Sequence, residues 1–147
     1  VALAVENVKA GGGPFGAAVF DGDGRLVAAG ANLVMVIGQS DAHAEMVAVS
    51  RAQDALKRVR LTGYTLSSSC EPCAMCAGGV LWSGVTVLEY AAPGDAARAL
   101  GFDEGDKVPE WAAGLERRGI VVRGPMLPEA ERLAPFDLYR RRKGKIY

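Results

Sequence analysis

His43-Ala44-Glu45, followed along the chain by Pro72-Cys73-Ala74-Met75-Cys76, gathers an imidazole, two thiols and a spare carboxylate in a protein with one histidine. Two sulfurs and one nitrogen are borderline-soft donors, the set that suits Zn²⁺. Three protein ligands leave a fourth tetrahedral position for water, which is how catalytic zinc sites differ from structural ones. Water bound to zinc ionises near neutral pH and becomes a usable nucleophile. Glu45 is then the group expected to carry protons. Two thiolates neutralise the metal's charge, so Glu45 is not needed as a counter-ion. A helix opening after Pro72 places Cys73 and Cys76 on one face, and its positive end favours thiolate over thiol.

Other readings of these residues exist. A Cys-x-x-Cys pair also serves as a redox couple or as half of a structural zinc site. A structural site would require a fourth cysteine or histidine, and no second histidine is present. Cys70 offers a second register, Cys70-x-x-Cys73, which a helix beginning at Pro72 would exclude.

The elements that must hold these groups alternate in type. Val1–Ala10 has helical apolar spacing and stops at Gly11-Gly12-Gly13-Pro14. Phe15–Phe20 and Arg25–Val34 are expected strands around Asp21-Gly22-Asp23-Gly24, a hairpin signal. Ala42–Val59 is an amphipathic helix with His43 and Glu45 in its first turn. Tyr64–Ser69 is a strand, Cys73–Trp82 a helix and Val85–Tyr90 a strand. Ala96–Leu100 and Pro109–Arg118 are helical, Ile120–Arg123 is a short strand and Glu129–Arg142 a last helix. This order predicts an α/β sheet with helices on both faces. Both metal-bearing segments enter helices from loops, where open α/β sheets place their ligands. The long helical connection between the last two strands predicts that they run parallel through a right-handed crossover.

Length and composition narrow the class. The 147 residues make one ordinary domain, half of the residues are hydrophobic and 23% are charged. Lys plus Arg and Asp plus Glu number 17 each, so no global charge advertises a polyanion as partner. No stretch is apolar and long enough to cross a bilayer, and none reads as a secretory signal. A reducing cytoplasm suits three closely spaced cysteines, and no membrane or nucleic-acid partner is expected.

The motif H-x-E with P-C-x-x-C is the signature of zinc-dependent base deaminases. Nearly the whole chain resembles the cytidine deaminase-like superfamily, and within it the bacterial guanine deaminases and related nucleobase deaminases. The resemblance is carried by Gly13-Pro14-Phe15-Gly16-Ala17, Asn32, Ala42–Glu45, Ser69–Cys76, Gly101-Phe102-Asp103-Glu104 and Leu133-Ala134-Pro135-Phe136. It implies a three-layer α/β/α fold whose five-stranded mixed sheet has its last two strands parallel. It implies one zinc per chain on His43, Cys73 and Cys76, with Glu45 and Glu104 as catalytic carboxylates. Asn32 and Ala44 are expected to contact the substrate ring. A flat ring also needs stacking faces, for which Phe15, Trp82 and Tyr147 are candidates. The segment from about 128 to 147 would close over the site, and the surface left around the Cys73 helix suggests a homodimer.

The expected reaction is hydrolytic deamination of a free nucleobase, guanine or a related aminopurine, pterin or aminotriazine. Transfer-RNA adenosine deaminases share the Glu71–Gly78 run, so adenosine in transfer RNA is the alternative, together with cytosine-type rings. Asp103, Glu104 and Asp106 also read as a solvated acidic turn. The basic run Arg140–Lys145 reads as a solvated helix face more readily than as a nucleic-acid contact.

Overall fold

The computed structural model describes all residues, Val1–Tyr147. Its elements are α1 (Ala2–Lys9), β1 (Gly16–Phe20), β2 (Leu26–Ala31), α2 (Val34–Ile37), α3 (Ala44–Leu56), β3 (Thr65–Cys70), α4 (Ala74–Ser83), β4 (Val87–Ala92), α5 (Gly94–Arg98), α6 (Trp111–Glu116), β5 (Val121–Arg123) and α7 (Glu129–Arg141). The strands form one five-stranded sheet in the order β2-β1-β3-β4-β5. β1 is antiparallel to both β2 and β3, while β3–β4 and β4–β5 are parallel. The parallel pairing of β4 and β5 agrees with the length of the helical connection between them. No helix is long and apolar enough to cross a membrane.

Side chains alternate across a strand, and β1 shows which helices lie on which face. Ala17 and Val19 enter a core with Ala44, Ala48 and Val49 of α3, Val80 of α4 and Leu115 of α6. Gly16 faces the other way, and a Cβ there would stand 2.8 Å from the Ala4 backbone nitrogen of α1. A second core joins Val8 of α1 to Phe136 and Tyr139 of α7, with Cys70, Ala92 and Phe102. Phe15 packs against both cores. The layers are therefore α/β/α, as the resemblance implies.

Helix α3 rests on the sheet through Ala44, Ala48 and Ala52, spaced four apart and each fully buried. Such a stripe yields little hydrophobic free energy compared with the roughly 1.5–3 kcal/mol of a buried leucine, but it permits close approach. Gly30 of β2 completes the contact: a Cβ there would lie 2.3 Å from the Ala44 carbonyl oxygen and 2.4 Å from the Ala48 nitrogen. Backbone meets backbone at the start of the helix that carries His43 and Glu45.

Most boundaries shift by one or two residues from the expected ones, and three of the differences have a visible cause or cap. The second strand stops at Ala31, not Val34, because Asn32 turns out of the sheet and its Oδ1 accepts from the Val34 N–H at 3.3 Å. That side-chain bond starts the short helix α2, which periodicity alone does not reveal. Helix α4 begins at Ala74, with Cys73 in extended conformation as its N-cap and its Sγ accepting from the Cys76 N–H. The thiol takes the place a serine oxygen commonly fills. Helix α3 ends at Leu56, capped by Lys57 with φ 52°.

Candidate active site

Two helix starts and two loops converge at the C-terminal end of β3. His43 is the N-cap of α3 and Glu45 lies in its first turn. Cys73 and Cys76 open α4. His43, Cys73 and Cys76 form a group whose ligand atoms all lie within 4.8 Å of one another. His43 Nδ1 is 3.5 Å from Cys73 Sγ and 3.6 Å from Cys76 Sγ. Zinc bonds of about 2.3 Å to sulfur and 2.0–2.1 Å to nitrogen, at a tetrahedral angle, set these atoms about 3.6 Å apart. The donor set and the spacing thus fit zinc, with three ligands from the protein.

Cys70 takes no part. Its buried Sγ is 3.7 Å from the Pro93 carbonyl, and burial pushes its thiol well above the ordinary range. Cys73 behaves oppositely. The hydrogen bond from Cys76, set against burial, and the contact with His43 hold Cys73 down to about 4, while the same pairing raises Cys76. Both thiols must ionise to bind a metal, so a dication held by His43, Cys73 and Cys76 would keep the second proton off.

Glu45 is 6% exposed. Ser68 Oγ donates to its Oε1 at 3.1 Å, and its Oε2 lies 3.6 Å from Cys76 Sγ. Burial raises its carboxyl above the usual range, which suits a group that must both accept and release a proton. Glu104, 8% exposed, reaches the same cavity from the segment after α5. Burial and the negative charges of Cys73 and Glu45 push it up to about 7.

The cavity beside His43 is walled by Phe15, Phe102 and Tyr147, with Asn32 at one edge. Phe102 meets Phe15 edge-on at 5.1 Å and Tyr147 edge-on at 5.3 Å. The Tyr147 hydroxyl donates to Asn32 Oδ1 at 2.6 Å. Gly13 makes room for this contact, since a Cβ there would sit 2.1 Å from the Tyr147 hydroxyl oxygen. From α1, Asn7 Nδ2 donates to the Gly13 and Asn32 carbonyls at 2.8 and 3.0 Å, tying the two loops together.

Of the residues expected from sequence, the structure brings His43, Glu45, Cys73, Cys76, Glu104, Asn32, Phe15 and Tyr147 together. Trp82 is not among them. It is 73% exposed and lines a separate cavity with Arg60 and Arg118. Six residues along α4 turn it roughly 240° from the buried Cys76 and carry it about 9 Å down the axis. The Ala44 side chain, between His43 and Glu45, is turned into the core between α3 and the sheet and does not line the cavity. Phe102, Glu71 and Ser68 were not anticipated as site residues. Phe102 and Glu71 lie inside the motifs Gly101–Glu104 and Ser69–Cys76, where attention to the acid and the cysteines hides them.

A thiolate–imidazole metal set, a buried carboxylate beside it and an aromatic cavity on a mixed α/β/α sheet define a zinc-dependent hydrolytic deaminase. Residues 1–92 match the cytidine and deoxycytidylate deaminase zinc-binding region, and the chain belongs to that family. It is similar to the guanine deaminase of Bacillus subtilis, 38% identical over 141 residues that cover 95% of this chain and 88% of that protein. The guanine deaminase from Nitrosomonas europaea superposes with a TM-score of 0.86 at 44% identity, over 95% of this chain and 78% of that one. A structure of NE0047 in complex with 2,6-diaminopurine gives a TM-score of 0.92 at 45% identity, over 99% and 80% of the two chains. A tRNA-specific adenosine deaminase of Haemophilus influenzae is 34% identical over 88 residues, 60% of this chain and 51% of that protein.

Proposed function

We propose that this enzyme deaminates a free aminopurine, guanine first, releasing ammonia. The observation that carries the reading is the cavity edge formed by Asn32, Glu104 and Tyr147 beside the metal ligands, supported by likeness to guanine deaminases over nearly the whole chain. A guanine-like face offers N–H donors together with acceptors. Glu104 supplies acceptors for the donors. Asn32 has the complementary role, because its Oδ1 is engaged by Val34 N–H and Tyr147 O–H. A backbone N–H can only donate, so the amide orientation is set and its NH₂ is the end left to meet a ring acceptor.

Bound by His43, Cys73 and Cys76, zinc would supply a Lewis acid that makes water nucleophilic near neutral pH. Glu45 takes the first proton as water adds and passes it to the ring nitrogen beside the attacked carbon. It then takes the second proton, from the new hydroxyl on that carbon, and gives it to the amine, which leaves as ammonia as the carbonyl forms. Ser68 fixes the Glu45 carboxylate, and Phe15, Phe102 and Tyr147 hold the ring and keep bulk water out.

The test is ammonia release from guanine, 2,6-diaminopurine, adenine, cytosine, isocytosine, a pterin, an aminotriazine and a transfer-RNA stem-loop. Guanine or another aminopurine should lead. Preference for the stem-loop over every free base would overturn the reading. Glu104→Ala should cut kcat/KM on the best base by several hundredfold or more, since a site built to hydrogen-bond its substrate loses heavily when one polar partner goes. Zinc content should not change. Full activity of that variant on every accepted base would remove Glu104 from the site.

The same reading includes pairing with a second copy and residence in the cytoplasm, to which the three free thiols are suited. Helix α4, AMCAGGVLWS, carries no charge, yet Met75 and Trp82 are exposed on it at 41% and 73%. With Gly78 between them they form an apolar stripe at helical spacing, and Ile37 and Met46 line a shallow groove on a neighbouring surface. Trp82→Lys should convert a dimer to monomers in light scattering with an unchanged circular dichroism spectrum. A wild type that is monomeric, or a variant that stays dimeric, would refute this interface.

A further inference from the structure

Glu104 is carried by a stretch between α5 and α6 that has no regular structure, so individual contacts must hold it. One is direct: the Glu104 carbonyl accepts from the Ala74 N–H at the start of α4 at 3.0 Å. The buried Phe102, whose N–H donates to the Ala97 carbonyl at 3.2 Å, fixes the side before Glu104, and the side after it needs an anchor of its own.

That anchor is supplied by Lys107, three residues on. Its Nζ is paired with the Glu71 carboxylate, donates to the Pro72 carbonyl at 2.7 Å and lies 4.6 Å from the centre of the Trp111 ring. The Lys107 and Glu71 side chains are only 9% and 15% exposed. An ammonium this dry must have its lost water replaced, and here a carboxylate, a carbonyl and a ring face do so. Glu71 itself lines the cavity, and its Oε2 accepts from the Gly94 N–H at 3.3 Å. One ammonium therefore joins the turn that leads into Cys73, the stretch that bears Glu104, and α6. Its positive charge also draws the Glu104 carboxyl downward against the pull of burial.

We propose that Lys107 is a positioning residue for Glu104, fastening the acidic stretch to the Glu71-Pro72 turn so that the carboxylate faces the ring. This rests on the reading of Glu104 as the group that contacts the base. Lys107 touches no substrate and acts through Glu104.

The experiment measures kcat/KM for ammonia release, zinc per chain and melting temperature for Lys107→Met and Lys107→Arg. Lys107→Met is made both alone and together with Glu104→Ala. Lys107→Met alone should keep one zinc and lose about 10- to 100-fold in kcat/KM, the usual range for residues that orient a site from behind. Lys107→Arg, which keeps the charge, should recover most of that loss. On top of Glu104→Ala, Lys107→Met should cost less than about threefold, because no carboxylate remains to be aimed. Equal losses in both backgrounds would mean the pair only braces the fold and would overturn the proposal, as would an unimpaired Lys107→Met. Full activity of Glu104→Ala alone would overturn the underlying reading first, and is distinguishable because it needs no change at Lys107. Should Lys107→Met not fold, Lys107→Gln carries the same comparison, with the same two outcomes decisive.

Discussion

Glu45→Gln is expected to lower the rate of ammonia release by about a hundredfold to ten-thousandfold or more, with zinc content and melting temperature unchanged. The substitution is nearly isosteric. Its Oε1 can still accept from Ser68 Oγ, which now bonds the carboxylate at 3.1 Å, so the side chain should stay in place. What disappears is the ability to take a proton and return it. Burial already biases Glu45 toward holding a proton, the property a shuttle needs and an amide lacks. Metal analysis beside the rate measurement separates the two ways of failing. If the variant kept more than about a tenth of the parent rate, another group would be moving the protons.

Removing a sulfur should do more than slow the enzyme. Cys76→Ala is expected to drop bound zinc from about one per chain to below a tenth and to abolish turnover, and exhaustive chelation of the parent should do the same. Re-addition of zinc should restore the parent and not the variant. The argument is the ligand count: His43 is the only histidine, and the chain brings just three donors into a compact group. Cys70→Ala is the control, because Cys70 is directed at the Pro93 carbonyl and stands outside that group. The Cys70 variant should keep its zinc. Metal lost from Cys70→Ala and kept by Cys76→Ala would put the centre in the wrong register.

The metal centre was legible in the sequence because its ligands are close-range features. H-x-E and C-x-x-C each open a helix, and local spacing sets how those side chains lie. The parallel pairing of β4 and β5 was legible for a similar reason, since a long helical connection cannot make a hairpin. The position of β3 between β1 and β4 was not, because it depends on which distant segments pair. Trp82 shows how a short count can mislead: proximity to Cys76 along the chain says nothing until helical phase is applied. Phe102 shows the reverse. A lone aromatic in an irregular stretch has no periodicity, and only the fold reveals that it faces Phe15 and Tyr147. The end of β2 at Ala31 depended on a side-chain bond from Asn32 that no pattern of apolar residues encodes.

Gly30 has a consequence for the stiffness of the catalytic machinery. Side-chain layers can give a few tenths of an ångström by changing rotamer, but main-chain atoms in contact have no such compliance. At Gly30 the strand and the first turns of α3 touch through main chain, so the height of His43 and Glu45 above the sheet is set by a backbone-on-backbone contact. Misplacement of reacting groups by about 1 Å can cost a hundredfold in rate. The precision of the metal centre is thus underwritten by a residue that has no side chain, contacts no ligand and lies on the strand at the sheet's edge.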